Sequence, residues 1–296
     1  MLKLNSIENI QLTSQIFLKP EYKIHDTVSG NKFRKLKYNL ERFQSGDFEG
    51  ILTFGGAYSN HISATAAAGK AFGFPTIGII RGLEVSNKIE LNPTLLYARK
   101  CGMNLDFVTR QDYRNRHDDF FNLYLRDKYP NYYIIPEGGT NELAIKGCEE
   151  ILDYQDKIFD IVCCSVGTGG TLSGIINSSF PHQKIIGFTA LKGTFLKQDI
   201  CKFVKRSNWE LCQDYHMGGY AKVNLELIKF INEFKLEFNI ALDPIYTGKM
   251  MYGVFDLISK GVISDKDKLL VIHTGGQQGI EGMNQYLKSN NLNLII

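Results

Sequence analysis

The sequence predicts an α/β fold built on mainly parallel sheets with helices on both faces. Short apolar runs typical of buried strands alternate with segments of helical periodicity along most of the chain. Repeated strand–helix–strand order requires crossover connections, which favour parallel strands. Glycine-rich turns follow four of the predicted strands, at 55–56, 138–139, 167–170 and 275–276. Because α/β sheets bind ligands at the carboxyl ends of their strands, we expect these four turns to converge on one bound molecule.

The predicted strands are apolar runs bounded by turn residues. They are 50–56, 75–82, 104–110, 132–139, the start of 159–180, 184–191 and 268–276. The predicted helices show helical periodicity with suitable end residues, such as Ser59 before and Gly73 after the second one. They are 33–43, 59–73, 92–102, 117–128, 141–155, the end of 159–180, 222–238, 249–261 and a short terminal helix, with a loop at 243–248.

Composition excludes several classes of protein. The chain has 296 residues, 44% of them hydrophobic and 22% charged, with a net charge of +3, which is ordinary for a globular protein. Its basic residues are dispersed, so no nucleic-acid partner is expected. It contains neither an apolar stretch long enough to span a bilayer nor an apolar leader, so we expect no membrane association and a cytoplasmic location. The six cysteines form no C-x-x-C pair, and we expect them to be reduced and structural, with no metal site.

A glycine-rich loop between a predicted strand and helix is a candidate phosphate site. Glycines allow close approach of an anion, and a helix N-terminus offers free N–H groups. The loop lacks the Lys-Ser/Thr of a P-loop, and Leu172 replaces the third glycine of the dinucleotide-binding fingerprint. Taken alone, the pattern fits a tight turn without a ligand equally well. The candidate ligands are Gly167, Thr168, Gly169, Gly170 and Thr171.

Lys32 lies in the first turn of a predicted helix, after Gly30 and Asn31. A positive charge there opposes the helix dipole, and the field lowers the pKa of an amine. A lysine that forms a Schiff base must react unprotonated, so the position suits one. Most lysines at helix starts are simply solvated, and position alone does not separate the two interpretations.

Six segments of the sequence together favour the interpretation of Lys32 as a Schiff-base lysine. They are SGNKFRKL (29–36), GGAYSNH (55–61), PEGGTNELAIKG (136–147), VGTGGTLSG (166–174), DPIYTGKMMYG (243–253) and VIHTGG (271–276). In this order they resemble motifs of the pyridoxal-phosphate family that contains 1-aminocyclopropane-1-carboxylate (ACC) deaminase and D-cysteine desulfhydrase. The resemblance covers nearly the whole chain. It implies fold type II, the fold of the tryptophan synthase β subunit, with pyridoxal 5'-phosphate between two α/β domains.

The resemblance also implies roles for individual residues. Lys32 would hold the cofactor as a Schiff base and move the α-proton of the substrate. Asn60 would bind the ring hydroxyl of the cofactor, and the loop 167–171 would bind its phosphate. On the substrate side, Ser59 would contact the carboxylate of a small amino acid.

Two tyrosines are candidate substrate-side groups. Tyr246 in DPIYTG matches the active-site tyrosine of the family, and Tyr220 in MGGYAK matches a second one through a looser local similarity. Whether Ser59 or Tyr246 is the second proton-transfer group stays open. His61 follows the S-N-H form of the desulfhydrases, and a purely packing role is an equal alternative.

The resemblance further implies a domain division and an assembly. Residues 1–44 together with 147–296 would form the larger, cofactor-binding domain, and residues 45–146 a smaller, mobile one. The smaller domain would close over the substrate and exclude water. Members of the family are usually homodimers, so a homodimer is expected.

Two positions discriminate within the family. The deaminases carry a glutamate after the tyrosine of the DPVY motif and a leucine before the final Gly-Gly, where this chain has Thr247 and Thr274. A carboxylate at the pyridine nitrogen deepens the electron sink, whereas a hydroxyl leaves it weaker and suits prompt loss of a leaving group. Both threonines are therefore predicted to bind the cofactor. The predicted reaction is α,β-elimination, with D-cysteine giving pyruvate, ammonia and sulfide.

Four alternatives stay open to different degrees. ACC deamination and a serine racemase or dehydratase activity use the same cofactor and fold. The helix after Asn60 departs from the desulfhydrases at Ile62 and Ser63, which puts the substrate in question more than the chemistry. A silent ligand-binding relative would have no need of Lys32 together with Tyr246. A dinucleotide-dependent oxidoreductase lacks its fingerprint spacing here.

Overall fold

Two separate sheets form the framework of the chain. The computed structural model describes residues 4–28, 30–116, 118–193 and 195–296, without the side chains of Lys88 and Phe195. In that part of the chain ten strands occur. They are β1 (Ile10–Gln11), β2 (Ile16–Lys19), β3 (Gly50–Gly55), β4 (Thr76–Arg81), β5 (Asn104–Val108), β6 (Tyr132–Ile135), β7 (Ile161–Val166), β8 (Lys184–Thr189), β9 (Trp209–Cys212) and β10 (Leu269–Ile272).

Eleven α-helices connect or cover these strands within the same described ranges. They are α1 (Asn31–Gln44), α2 (Asn60–Phe72), α3 (Pro93–Lys100), α4 (Arg110–Arg114), α5 (Asp119–Lys128), α6 (Glu142–Cys148), α7 (Gly170–Ser178), α8 (Phe195–Cys201), α9 (Leu225–Phe238), α10 (Thr247–Ser259) and α11 (Gly279–Ser289). The expected start of α5 at residue 117 lies outside the described residues. None of the described helices is long and apolar enough to cross a membrane.

The larger sheet has the strand order β1-β2-β10-β7-β8-β9, and all its pairs except β1–β2 are parallel. Ile272 pairs with Cys164, so β10 and β7 end side by side. Cys163 packs in the hydrophobic core on one face and Cys164 in the core on the other. Both are buried and free, and they point to opposite faces as neighbours in a strand do.

The smaller sheet has the order β5-β4-β3-β6, and all its pairs are parallel. Its central strand β3 is buried along its whole length, as parallel strands covered on both faces are. Helix α2 follows β3 directly. The side chain of Ser59 caps α2, and Gly73 ends it in the left-handed conformation, as the sequence predicts.

Helix α1 links the two sheets. Its apolar face, with Phe33, Leu36 and Leu40, packs in one core with Ile51 of β3 and Ile135 of β6. Its other side packs closely on α6, where a side chain at Gly147 would lie 1.9 Å from the carbonyl oxygen of Arg34. The start of α1 is therefore held rigidly between the two halves of the chain. The division of the chain at residues 44 and 146 into two domains stays a prediction.

Some elements differ from the expectation. Strands β1, β2 and β9 and helices α4 and α8 have no counterpart in the predicted set. Helix α6 ends at Cys148, where a helix to 155 was expected. β9 is a sheet-edge strand of four residues with partly exposed side chains. β1 and β2 are two and four residues long. Runs this short carry too little periodicity to identify from sequence.

Candidate active site

A cavity of about 1210 Å³ lies where the carboxyl ends of the two sheets face each other. All four glycine-rich turns line it, through Gly56, Gly138, Gly167 and Gly275. Each turn follows the end of a parallel strand, the place where α/β sheets bind ligands. The convergence that the sequence predicts is therefore present.

Lys32 lines this cavity from the first turn of α1. Gly30 precedes the helix at φ 65°, and a side chain there would lie 2.0 Å from the carbonyl oxygen of Thr274, so only glycine fits. The backbone N–H of Asn31 donates to that same oxygen over 3.1 Å. This contact fixes the start of α1 against the loop after β10.

The surroundings of the Lys32 amine favour its neutral form. Its Nζ donates to Oδ1 of Asn31 over 3.1 Å. Burial lowers the pKa of Lys32, while Asp243 and two thiols act weakly in the other direction. A neutral amine is the form that attacks a carbonyl, so the environment suits a lysine that forms a Schiff base.

The glycine-rich loop and the start of α7 form a candidate anion-binding surface. Gly169 adopts φ 85° before the helix, and no side chain in the described part of the chain caps α7. The first N–H groups of α7 are thus left for a ligand. Nδ2 of Asn31 donates to Oγ1 of Thr171 over 2.8 Å, which ties this loop to the turn that carries Lys32.

Lys35 completes the anion site, although the sequence analysis did not single it out. It is 2% exposed, and its Nζ donates to the carbonyl oxygen of Gly138 over 2.8 Å and to Oγ1 of Thr140 over 3.0 Å. A Cβ at Gly170 would lie 3.1 Å from this Nζ, so the missing side chain leaves room for the ammonium at the helix start. Burial and then the charge of Lys32 lower the pKa of Lys35 to about 7.

These residues fit pyridoxal phosphate. An uncapped helix N-terminus beside a buried lysine suits a phosphate, and a second lysine of lowered pKa in the same cavity suits the aldehyde. The phosphate would be bound by Lys35 and by the loop from Gly167 to Thr171. Lys32 would bind the aldehyde of the cofactor.

Replacing Lys35 by methionine should weaken cofactor binding by about tenfold or more, because a phosphate loses a charge-assisted hydrogen bond. Phosphate favours the charged form of Lys35, so the parent should bind cofactor best below pH 7 and lose affinity as the pH rises above it. The methionine variant should show a flatter pH dependence. Titration of cofactor-free protein, followed by absorbance, measures both. Equal affinity of parent and variant at pH 6.5 would contradict this role.

Ser59 and Asn60 reach the cavity from the start of α2. Oγ of Ser59 accepts from the backbone N–H of Ile62 over 3.3 Å, which leaves its own hydrogen available. Oδ1 of Asn60 accepts from Nε2 of Gln278 over 2.9 Å, so its amide N–H groups are oriented away from α11. Both predicted site residues therefore keep a donor for a ligand.

His61 is buried and has a defined tautomer. The hydroxyl of Thr53 donates to the carbonyl oxygen of Ile135, so Nε2 of His61 must be the donor in its 2.8 Å contact with Thr53. Nδ1 then carries a lone pair and has no partner among the described residues. Burial, followed by Lys32 and Lys35, lowers the pKa of His61 well below its usual value, which keeps the ring neutral.

Tyr246 and Tyr220 lie together on the opposite wall. Their ring centroids are 6.3 Å apart in an edge-on arrangement. A side chain at Gly167 would lie 3.3 Å from the Tyr246 hydroxyl, so this tyrosine packs directly over the phosphate loop. Burial raises the pKa of Tyr246 well above its usual value, and Tyr220 and Asp243 add to the effect. Tyr246 is therefore a phenol, a proton donor, at neutral pH.

Lys249 holds the segment before Tyr220 in place. It is 2% exposed, and its Nζ donates to the carbonyl oxygens of His216 over 2.9 Å and Gly219 over 2.8 Å. Burial lowers the pKa of Lys249 to about 8. The lysine of the DPIYTGK segment thus joins α10 to the Tyr220 loop.

Replacing Lys249 by methionine should free that loop, because two buried carbonyl groups lose their donor at about 1–3 kcal/mol each. We expect a lower melting temperature and a raised KM with a smaller change in kcat, since Tyr220 would be displaced from the substrate. Thermal unfolding and steady-state kinetics measure these effects. Replacing the exposed Lys229 by methionine is a matched control, and an unchanged KM in the Lys249 variant would contradict the assignment.

The two discriminating threonines occupy different places. Thr274 lines the cavity, and its Oγ1 lies 3.3 Å from Oγ of Ser165. Thr247 is fully buried outside the cavity lining, and its hydroxyl donates to the carboxylate of Asp243 over 2.7 Å. Thr247 therefore does not line the cavity, and its contact with the cofactor stays a prediction. Asp243 caps the start of α10 and engages the Thr247 hydroxyl.

The fold and this cavity together define a pyridoxal-phosphate enzyme of fold type II. A family model described as pyridoxal-phosphate dependent enzyme matches residues 1–275. The chain belongs to this family, and it depends on pyridoxal phosphate for its activity. The predicted tryptophan synthase β-like fold is confirmed.

Individual relatives indicate which group within the family the chain resembles. A Thermotoga maritima protein named "Putative 1-aminocyclopropane-1-carboxylate deaminase" is 30% identical over 276 residues, 85% of each chain. An Arabidopsis thaliana bifunctional D-cysteine desulfhydrase/ACC deaminase is 28% identical and covers 86% of this chain and 70% of its own. A solved structure described as an ACC deaminase homologue has a TM-score of 0.81 at 27% identity, covering 93% of this chain and 88% of that one. The predicted resemblance to the ACC deaminase and D-cysteine desulfhydrase group is thereby confirmed.

Proposed function

We propose that the protein catalyses α,β-elimination from a small amino acid with a β leaving group, such as D-cysteine. The observation that carries the proposal is the hydroxyl pair of Ser165 and Thr274 at the adjoining ends of β7 and β10. Both carboxylates that line the cavity in the described part of the chain are already paired, Glu137 with Arg116 and Asp199 with Lys202. A hydroxyl is therefore the group available to the pyridine nitrogen.

Bound pyridoxal phosphate supplies an electron sink for the electron pair left at the α carbon. Lys32, whose pKa is lowered by burial, accepts the α-proton. Ser59 donates to the substrate carboxylate, and Asn60 donates to the ring hydroxyl of the cofactor. Tyr246 keeps its proton at neutral pH and donates it to the departing β group. Tyr220 packs against Tyr246 and orients its ring.

A neutral His61 is compatible with these roles of Lys32, Ser59 and Tyr246. Its Nδ1 lone pair accepts a hydrogen bond but supplies no proton, so proton transfer falls to Lys32, Ser59 and Tyr246. Whether Ser59 or Tyr246 delivers the second proton is the finer part of the proposal. Cytoplasmic location and a homodimer also stay predictions, and sedimentation of the purified protein tests the second.

ACC deamination is the second candidate, favoured by the name of the Thermotoga relative. A substrate panel separates the candidates. It contains D- and L-cysteine, D- and L-serine, β-chloroalanine and ACC, with keto acid, sulfide and enantiomer composition as readouts. Sulfide and pyruvate from D-cysteine are the expected result. Ketobutyrate from ACC would reject the argument from the hydroxyl pair, and interconversion of D- and L-serine would favour a racemase.

A further inference from the structure

The cavity continues past the substrate-side residues to a group of arginines on the smaller sheet. Arg81 ends β4, Arg110 begins α4, and Arg116 follows that helix. All three line the main cavity, and they also line an adjoining recess of about 160 Å³. We call these three residues the arginine cluster. Neither the phosphate loop nor the lysine site includes them.

The arginine cluster is only partly neutralised by neighbouring carboxylates. Nη2 of Arg110 lies 2.7 Å from Glu84, and Nε of Arg116 lies 2.7 Å from Glu137. Glu137 also accepts a hydrogen bond from the hydroxyl of Tyr113 over 2.6 Å. The side chain of Arg81, at the end of β4, has no hydrogen-bond or ion-pair partner among the described residues. Within the cluster, one guanidinium is therefore unpaired and the other two have one carboxylate each. Arg114 lines the recess as well.

The arginine cluster lies within electrostatic reach of the substrate-side tyrosines. The pKa of Tyr220 is raised mainly by burial, and Glu137 raises it further while Arg81 lowers it. Arg81, Glu137, Tyr220 and Tyr246 all line the same cavity. Lys32 lines the same cavity, so a substrate bound at Lys32 shares this space with the arginine cluster.

The size of the cavity also matters. Its volume of about 1210 Å³ exceeds the roughly 300–1,000 Å³ typical of pockets for drug-sized ligands. A cofactor and an amino acid as small as cysteine leave part of this space free. The arginine cluster belongs to the lining of this cavity.

We propose that Arg81, Arg110 and Arg116 form a subsite for an anionic β-substituent, so that the preferred substrates are amino acids whose leaving group carries a phosphate, sulfonate or carboxylate. Guanidinium groups bind such oxyanions through paired hydrogen bonds. This inference rests on the proposed elimination. The reaction is still α,β-elimination, but the leaving group is an anionic β-substituent in place of the thiol of cysteine.

With O-phosphoserine as the example, the atoms balance. The α C–H bond breaks and its proton passes to Lys32, the β C–O bond breaks, and the bonding pair leaves with inorganic phosphate. The released enamine takes up water to give pyruvate and ammonia. The arginine cluster stabilises the negative charge that grows on the leaving phosphate, and no oxidant or reductant is needed.

The test uses the cofactor-loaded protein with O-phospho-D-serine and O-phospho-L-serine beside the two serines. The variant is Arg81→Gln combined with Arg110→Gln, and Arg116 is left in its ion pair. Arg126→Gln, an exposed arginine on α5 that lines neither cavity, removes the same charge type and is the control. Two quantities are compared: the ratio of kcat/KM for the phosphorylated and plain serine, and the binding ratio from the visible spectrum.

The parent should prefer the phosphorylated amino acid by about tenfold or more, the effect of one or two charge-assisted hydrogen bonds. The double variant should lose most of that preference, and the control should keep it. A parent without preference, or a double variant that retains it, overturns the subsite. If no amino acid is turned over, the proposed elimination fails, yet tighter binding of O-phosphoserine that is lost in the double variant still supports the subsite. Thermal unfolding checks that the variants are folded.

Discussion

Replacing Lys32 by alanine should abolish turnover, with a loss of about a thousandfold or more, because the variant lacks both the amine that binds the cofactor and the acceptor of the α-proton. The visible absorption of the purified protein should change as well. Lys32 is the lysine of lowered pKa that has the geometry for both roles, with Asn31 and Thr274 fixing its position. Absorbance and keto-acid release measure the two effects.

A matched control lies on the same helix. Lys37 pairs with Glu150 at the surface and lines neither cavity. Replacing Lys37 by alanine should leave colour and turnover nearly unchanged, since partly exposed ion pairs contribute about 0–1 kcal/mol. If the Lys32 variant kept its absorption and its turnover, the assignment would be wrong.

Replacing Tyr246 by phenylalanine should lower kcat by about 10²–10⁴-fold, the usual contribution of a positioned acid–base group, with a smaller change in KM. The ring would remain packed over Gly167, so only the proton donor is lost. Because burial raises the pKa of Tyr246, the parent should not lose this donor up to pH 9. Steady-state kinetics across pH measures the effect.

The control for this variant is Tyr252 on α10, whose hydroxyl contacts Glu226 at the surface. Phenylalanine there should change kcat less than twofold, as ordinary for a surface position. A substrate with a better leaving group, β-chloroalanine, should rescue part of the loss in the Tyr246 variant. Equal losses with cysteine and β-chloroalanine would instead indicate that Tyr246 orients the substrate and that Ser59 delivers the proton.

The site positions that depend on local sequence were predictable. Gly30 before Lys32, the Ser59 cap before Asn60 and the glycine loop before α7 each use backbone chemistry that leaves a signature within a few residues. The fold class was predictable for the same reason, since buried strands and capped helices alternate along the chain. The cavity then brings these local features together.

The parts that were missed depend on distant contacts. Lys35 becomes an anion-site residue only because Gly138 and Thr140, about a hundred positions away, accept its hydrogen bonds. Thr247 lies outside the cavity lining, where the buried carboxylate of Asp243 accepts a hydrogen bond from its hydroxyl. Arg81 looks like an ordinary strand end until the recess beside Glu137 is seen. Periodicity and motifs do not encode such pairings.

The most direct test of the account is to find which lysine carries the cofactor. The loaded protein is reduced with borohydride, digested, and the labelled peptide is identified by mass spectrometry. Lys35 and Lys249 are the natural competitors, because burial lowers the pKa of both. A label on Lys32 alone is the predicted result. A label on Lys35 or Lys249, or a protein that takes up no label after incubation with pyridoxal phosphate, would contradict the central claim.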